Sequence, residues 1–291
     1  MTDATITPEA AEAATATVAK PGSAGAAELR KILIVYAVVS LAVGIPAYLF
    51  MDWSWLDSGF TTAIGSKPDY PHLLLVGIWR TIWLLVLSVL FGYMLAIPIG
   101  LVQVTGPAWL AAIARGFCTV IRGTPLLVQL WLLYYGIGSL FPSIPGLRQT
   151  WIWPFLIEAW PYALLAFTLS FAGYEGEIMR GAFAGVPKGE LEAGRAFGMS
   201  KSKLLRRIWL PRAIHQALPT LSGEVVLQLK STPLAATISM FDLFGMVGKI
   251  RQDLYIIYGP LLLGAFIYMT LTVIVVLLFR YLETRVPIKR G

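Results

Sequence analysis

Charged side chains are scarce in this 291-residue chain. Asp, Glu, Lys and Arg make up 13% of it, whereas a soluble domain of this length needs about 25% charged residues to cover its surface. Hydrophobic residues make up 57%, and the mean hydropathy is +0.71. These values exclude an ordinary soluble enzyme, a disordered chain and a nucleic-acid-binding domain, and they indicate a protein whose solvent is a lipid bilayer.

Cysteine and histidine are nearly missing. Cys118 cannot form an internal disulfide, and its apolar surroundings favour a small buried hydrophobe over a reactive thiol. His72 and His215 have no metal-ligand spacing, so neither a metal site nor a cofactor is predicted. Residues 245–249 approach a phosphate-binding loop, but they have two residues between the glycines instead of four, and Ile250 follows where Ser or Thr would ligate magnesium. We therefore predict no catalytic site and no ATP hydrolysis by this chain.

Six segments are apolar and long enough to cross a hydrocarbon core of about 30 Å, which takes about 20 residues. They are residues 32–51, 78–101, 117–139, 162–184, 217–243 and 260–282. The prolines inside them are Pro98, Pro125, Pro219 and Pro233. Neighbouring membrane helices can bond the backbone groups that a proline frees, so kinked or broken helices are predicted there. The predicted fold is an all-α, polytopic membrane protein of six helices.

The two ends of the chain lack long apolar runs. Residues 1–29 are rich in Ala and Thr, and we predict a disordered cytoplasmic tail because they cannot bury enough surface to offset the entropy of ordering. Asp3, Glu9 and Glu12 make this end acidic, unlike a secretory signal. Residues 284–291 are predicted to form a basic cytoplasmic C-terminus.

Lysine and arginine are distributed unevenly among the predicted loops. Most of those outside the spans lie on the side of the N-terminus, and those opposite are Lys67, Arg148, Lys249 and Arg251. Cytoplasmic loops carry the excess of positive charge in membrane proteins, so both termini are predicted to be cytoplasmic. The outer loops contain Trp53, Trp55, Trp151, Trp153 and Trp160. These tryptophans are typical of a membrane-interface belt, with an aromatic ligand cage as the less favoured alternative.

The segment between the fourth and fifth predicted spans, residues 185–215, is basic and too polar to enter lipid. It contains Glu192-Ala193-Gly194, three residues, Gly198, nine residues, and then Ile208-Trp209-Leu210-Pro211. Pro187 before the first turn, Glu190 in that turn and a left-handed stop at Gly198 favour a short helix on the membrane surface. A merely solvated loop explains the charges but not the spacing.

This spacing resembles the cytoplasmic loop of the permease subunits of ABC importers, which reads Glu-Ala-Ala, three residues, Gly, nine residues, Ile-x-Leu-Pro. The chain departs from it at Gly194, where Ala is usual, and glycine costs about 1 kcal/mol in a helix interior. Further matches narrow the resemblance to the polar amino acid family that contains the histidine, glutamine, arginine and octopine permeases. They are Gly77-x-x-x-Thr81, Arg122-Gly123-Thr124-Pro125-Leu126-Leu127-Val128-Gln129, Glu177-x-x-Arg180-Gly181, Glu224-Val225-Val226-Leu227 and Lys230-Ser231-Thr232.

The resemblance covers residues 73–283 and implies the five-helix core of a type I ABC importer. Residues 30–72 then form one added N-terminal helix and an outer loop. The resemblance also implies a non-catalytic subunit of the bacterial inner membrane. Its implied partners are two ABC ATPase subunits, a second permease (identical or related), an external solute-binding protein and an amino acid substrate. The implied ATPase-coupling residues are Gly189, Glu192, Ala193, Gly194, Gly198, Ile208, Leu210 and Pro211.

Two ionisable residues, Glu224 and Lys230, lie inside the fifth predicted span. They are about 240° apart around an ideal helix, so a direct pair is not expected. Because charges at membrane depth are costly, both are candidates for the translocation pathway, and structural hydrogen bonds at a subunit seam are the open alternative.

Residues 122–126 recur in altered form at 230–234, which indicates either a distant internal repeat or a shared kink motif. Arg122 and Thr124 are therefore further pathway candidates, ranked below Glu224.

Two other classes of protein stay open at this point. A secondary transporter driven by an ion gradient would need an ion-coupling carboxylate and usually more than six spans. A membrane-embedded enzyme is disfavoured because His, Cys and carboxylates do not cluster near one face.

Overall fold

The computed structural model describes residues 23–57 and 69–285, and the regular elements within these ranges are all helical. The α-helices are α1 (Ser23–Phe50), α2 (Ser54–Asp57), α3 (Tyr70–Thr105), α4 (Ala108–Gly123), α5 (Leu126–Trp131), α6 (Trp153–Leu156), α7 (Trp160–Gly185), α8 (Lys188–Ala196), α9 (Lys201–Leu204), α10 (Leu210–Ser231), α11 (Leu243–Leu254) and α12 (Tyr258–Arg285). π-helical turns follow α5 (Leu132–Ile137) and α9 (Leu205–Trp209), and 3-10 turns cover Gly138–Ser143, Leu147–Gln149 and Thr232–Ile238. The all-α class is confirmed.

The chain divides into two compact units, residues 1–53 and residues 54–291. In the first unit, α1 begins at Ser23, so residues 23–29 are helical where a disordered tail was predicted. The Ala-rich stretch before Leu29 has high helix propensity and extends the apolar helix toward the N-terminus. Residues 1–22 of the predicted tail, and the C-terminus from residue 286, lie outside the described residues.

Four of the described helical segments are long and apolar enough to cross a membrane. They are Leu29–Leu49, Tyr70–Thr105, Leu126–Ser143 and Tyr258–Leu282, and a fifth is added if the pair Lys201–Ile238 and Leu243–Leu254, bent by 49°, forms one broken span. α7 has 26 residues, about 39 Å at 1.5 Å per residue, but its charged residues lower its hydropathy. The count of six spans therefore stays a prediction.

Helix α7 lies at the centre of the second unit. It packs against α3, α4, α5 and α10, and its residues Ala163, Ala166 and Ala172 are completely buried. Small side chains let neighbouring membrane helices approach closely, which compensates for the lack of a hydrophobic drive between helices in lipid. The charges of α7 are thereby placed against other helices rather than against lipid.

Two of the four predicted proline sites interrupt a helix. α4 ends at Gly123 and α5 begins at Leu126, with Thr124 extended before Pro125, as expected for a residue whose following proline disfavours the helical conformation. α10 gives way to a 3-10 turn immediately before Pro233. α3 and α10 continue as helices through Pro98 and Pro219.

The break before α11 is held by α3. The Leu243 N–H donates a hydrogen bond of 3.0 Å to Thr81 Oγ1, and a Cβ on Gly77 would lie 2.9 Å from Leu243 Cα. Arg80 Nη1 donates to the Phe241 carbonyl at 3.1 Å. The Gly77-x-x-x-Thr81 pattern thus has a structural role. The missing side chain at Gly77 lets α11 begin close to α3, and the Thr81 hydroxyl accepts a hydrogen bond from the otherwise free N–H of Leu243.

Replacing Thr81 by Val should lower the thermal stability of the purified protein. The substitution keeps the shape of the side chain but leaves the buried Leu243 N–H without an acceptor, which costs about 1–3 kcal/mol. Thr272→Val is the matched control, because the Thr272 hydroxyl bonds only the Tyr268 carbonyl of its own helix. Melting curves in detergent test this; equal shifts for both variants would contradict the role given to Thr81.

Candidate translocation site and coupling surface

The predicted surface helix is α8, and its ends are fixed by local interactions. Pro187 precedes the first turn, and Glu190 in that turn forms a 2.9 Å salt bridge with Arg212. At the other end Gly198 has a φ of +74°. The Gly198 N–H donates to the Arg195 carbonyl and the Met199 N–H to the Gly194 carbonyl, which is the Schellman arrangement. The short helix and its glycine stop are confirmed.

The predicted coupling residues divide into an exposed and an inner set. Gly189, Glu192, Ala193, Gly198 and Pro211 are exposed, whereas Gly194 is buried and Ile208 and Leu210 are partly buried. A Cβ on Gly194 would lie 2.5 Å from Leu204 Cδ1 and 3.0 Å from Ile208 Cδ1. The departure from alanine at Gly194 thus lets these two side chains pack directly on α8.

Phe197 is a further candidate on this surface. Its side chain is 86% exposed, although it lies between the buried Gly194 and the turn at Gly198. A large exposed hydrophobic residue beside a polar helix is typical of a protein contact site. The signal in the sequence is an aromatic residue within a segment too polar for lipid.

Two hydrogen-bonded contacts connect α8 and the π-helical turn after α9 to the long helices. Trp209 Nε1 donates to the Phe183 carbonyl of α7 at 2.9 Å, and Arg212 of α10 binds Glu190 of α8. The Trp209 ring also packs edge-on against Phe183, with 5.9 Å between centroids. Movement of α8 would therefore be transmitted to both α7 and α10.

Glu224 lines a cavity of about 250 Å³ between α5, α7 and α10. The other lining residues are Leu126, Ser170, Phe171, Tyr174, Leu227, Gln228 and Ser231. The hydroxyl, amide and carboxyl groups of Ser170, Tyr174, Glu224, Gln228 and Ser231 add polar atoms to a mainly apolar lining among apolar helices. Such groups inside a membrane protein usually mark a solute or ion pathway.

Arg122 lies close to Glu224 although the two belong to different helices. The Arg122 guanidinium carbon is 5.7 Å from the centre of the Tyr174 ring, and the guanidinium and the Glu224 carboxylate attract each other. The arrangement places a positive group beside Tyr174, an aromatic residue that lines the same cavity as Glu224. Two of the four predicted pathway residues are thus brought together.

The other two predicted pathway residues lie outside this cavity. Lys230 is exposed and forms no salt bridge with Glu224 in the described part of the chain. Thr124 instead closes the break between α4 and α5: its hydroxyl donates to the Val120 carbonyl at 2.9 Å and accepts from Gln129 Nε2 at 2.9 Å. The structure therefore gives Thr124 a local role at the break.

Gln228 is a site residue absent from the sequence-based candidates. Its Nε2 donates to Ser88 Oγ of α3 at 3.2 Å and to the Phe167 carbonyl of α7 at 3.0 Å. The amide thereby fixes α10 to both neighbours beside the cavity. A glutamine four residues after Glu224, on the same face of the helix, is the signal that points to it.

Glu175 of α7 is the second residue that the sequence-based candidates omit. It is completely buried, and neither carboxyl oxygen has a hydrogen-bond partner among the described residues. The Tyr93 hydroxyl nearby is also buried without a partner, and its ring packs against Phe171 at 5.0 Å between centroids. Glu175 and Glu224 also repel each other electrostatically. A buried acid without a partner costs stability, which singles out Glu175.

Replacing Glu175 by Leu should raise the melting temperature in detergent. A buried carboxyl without a partner destabilises a folded protein by about 1–3 kcal/mol, and an apolar side chain of similar size removes that cost. Glu177→Leu is the control: Glu177 lies two residues further along the same helix but pairs with Arg180 at 2.6 Å, so its loss should not stabilise. A lower melting temperature for the Glu175 variant would show that this carboxyl has a stabilising partner.

Among the described residues, no group of three or more His, Cys, Asp or Glu side chains is placed to hold a metal ion. Together, the apolar helices, the cavity that Glu224 lines and the exposed helix α8 fit a permease component of a membrane transport system. The chain belongs to the family of binding-protein-dependent transport system inner membrane components, whose family model matches residues 88–287.

Individual relatives support this assignment over most of the chain. The octopine transport system permease protein of Rhizobium meliloti is 42% identical over 210 residues, 72% of this chain and 84% of that protein. The histidine/lysine/arginine/ornithine transport system permease protein of Escherichia coli strain K12 is 36% identical over 215 residues, with shares of 72% and 87%. Membership in this family makes the chain a multi-pass protein of the bacterial inner membrane.

A solved structure extends the similarity to three dimensions. The crystal structure of an amino acid ABC transporter with histidines matches with a TM-score of 0.63 and 28% identity, over 75% of this chain and 95% of that one. The permease family implies ATPase subunits and a substrate-binding protein as partners. The resemblance inferred from the motifs is thereby confirmed, and the relatives give no support to a secondary transporter.

Proposed function

We propose that this chain forms the translocation pathway of an ATP-driven importer for polar amino acids, and that Glu224 contacts the solute. The observation that carries the proposal is the Glu224 carboxylate on the wall of a cavity between α5, α7 and α10. The relatives named for octopine, arginine and histidine transport support a solute with a cationic group. A carboxylate at membrane depth is suited to bind such a group.

The charges around the cavity suit a zwitterion. Glu224 is complementary to an ammonium or guanidinium group, and Arg122, beside Tyr174, is complementary to a carboxylate. The cavity is small, about 250 Å³, so the conformation described here would have to open around a solute. Alternating access provides such a change by moving helices around a fixed site.

The energy for that movement comes from ATP hydrolysis by partner chains that bind α8. In this proposal Glu192, Ala193 and Phe197 contact the ATPase, and the Trp209 and Arg212 contacts transmit its closure to α7 and α10. Two ATPase subunits, a second permease (identical or related) and an external solute-binding protein complete the importer. Both termini, and the α8 surface, face the cytoplasm, as the distribution of Lys and Arg indicates.

Glu224→Gln should reduce solute uptake by the reconstituted importer about 10- to 100-fold, because it removes a charged partner worth about 1.5–3 kcal/mol. Glu158→Gln, at an exposed position outside the cavity, should transport at the parental rate. Uptake of radiolabelled arginine or histidine into ATP-loaded proteoliposomes measures both. Parental uptake by the Glu224 variant, with intact assembly, would contradict the proposed contact.

Glu192→Lys should prevent co-purification of the permease with its ATPase and abolish stimulation of ATP hydrolysis. The substitution reverses the charge on the exposed side of α8, where a partner would have to desolvate it, without touching a buried contact. Glu158→Lys introduces the same change of charge away from α8 and should leave the complex intact. An unchanged complex with Glu192→Lys would show that the ATPase binds elsewhere.

A further inference from the structure

A second, larger cavity lies where the end of α3 meets the segment that follows α8. Its volume is about 730 Å³, within the range of about 300–1,000 Å³ typical of small-molecule sites. It is lined by Leu101, Val104, Thr105, Arg195, Met199, Lys201, Leu204, Leu205 and Trp209. None of these residues lines the cavity that contains Glu224.

The lining combines an apolar wall with two positive charges. Arg195 and Lys201 are exposed, no acidic residue contributes to the lining, and neither cation forms a salt bridge within the described ranges. The hydroxyl of Thr105 is used locally, since it donates to the Leu101 carbonyl at 2.9 Å. The charges are therefore available to an anion from outside the chain.

The position of the cavity at the end of a spanning helix points to the level of lipid headgroups. Leu101, Val104 and Thr105 form the last turn of a 36-residue apolar helix, and Val104 is exposed on its surface. Trp209 is partly buried, with its indole N–H bonded to the Phe183 carbonyl. A tryptophan beside lysine and arginine at the end of a spanning helix is typical of the membrane interface.

We propose that this cavity binds an anionic phospholipid, with its phosphate between Arg195 and Lys201 and an acyl chain along Leu101 and Val104. Charge complementarity selects the anion, and the apolar wall continuing onto the exposed face of α3 selects a lipid over free phosphate. Basic pockets at the cytoplasmic ends of membrane helices bind such headgroups. The bound lipid would link α3 to the turn after α8, independently of which solute is transported.

The test uses the full-length chain in detergent, with phosphatidylglycerol or phosphatidylcholine added and bound lipid counted by native mass spectrometry. Each basic side chain near an anionic headgroup contributes about 1 kcal/mol, so Arg195→Gln with Lys201→Gln should weaken phosphatidylglycerol binding about 30-fold. Lys203→Gln with Arg206→Gln removes two exposed charges from the same segment but outside the lining. This matched control should bind like the parent.

Two more variants separate the contributions of charge and shape. Val104→Trp places a bulky ring where the acyl chain is proposed to lie while keeping both cations, and it should also weaken phosphatidylglycerol binding. Arg195→Lys with Lys201→Arg preserves the charges and should retain binding. Melting curves identify any variant that fails to fold. If the Arg195→Gln and Lys201→Gln pair does not fold, Val104→Trp provides the test, and the pair provides it if Val104→Trp does not fold.

Several outcomes would overturn the proposal. Equal binding of the two lipids by the parent, or equal losses in the test and control pairs, would show attraction by net charge alone. Full competition by millimolar inorganic phosphate would make this a free-anion site. Unchanged lipid binding together with loss of ATPase co-purification in the Arg195 and Lys201 pair would assign the cavity to the partner protein.

Discussion

Backbone groups that are freed inside a bilayer find no water to bond with, and this constraint governs the architecture around both cavities. Each interruption of a helix needs a side chain to replace the missing backbone partner. At the break between α4 and α5, Gln129 donates to the Ile121 and Thr124 carbonyls, so the segment supplies its own partner. Before α11 the partners come from elsewhere: Thr81 of α3, and Asp242, whose carboxylate accepts from Gly245 N–H and from the Tyr268 hydroxyl of α12.

This difference determines how the two breaks can move. The break between α4 and α5 is self-contained, because its hydrogen bonds come from Gln129 in the same segment. It can therefore move with its own helix without losing these bonds. The break before α11 joins α3, α11 and α12, so these three helices are held as one group around Asp242 and Thr81. The Glu224 cavity lies between α5, α7 and α10, outside that group, and is bordered instead by the self-contained break.

The electrostatic interactions around the Glu224 cavity depend on the same lack of water inside the bilayer. Glu224 and Arg122 attract each other, and Gln228 uses its amide to join three helices. Glu175 has no hydrogen-bond partner among the described residues. The contrast separates polar groups that support the packing from a carboxyl whose burial works against it.

Much of the fold can be predicted from the sequence, because apolar run length and the residues that begin and end helices act locally. The run lengths locate the long helices, and Pro187 and Gly198 define α8 almost to the residue. Long-range placement could not be predicted. The partnership of Glu224 with Arg122 joins residues about a hundred positions apart, and the burial of Glu175 depends on which face of α7 meets α3.

The coupling residues illustrate the same limit. Their spacing identifies the family, but it does not distinguish the exposed Glu192 from the buried Gly194, because that depends on Leu204 and Ile208 folding back over α8. The number of membrane spans could not be predicted from hydropathy for a different reason. α7 carries charges that lower its hydropathy, and only the surrounding helices make it compatible with an apolar environment.

The indole hydrogen bond from Trp209 to the Phe183 carbonyl has a mechanical consequence. Because the bond ends on a backbone carbonyl, it pulls on the polypeptide itself and leaves no rotatable side chain on the α7 side to absorb displacement. A displacement of the turn after α9 would therefore be transmitted directly to α7. If a partner protein binds α8, as proposed, this stiff contact would transmit its movement to the backbone of α7.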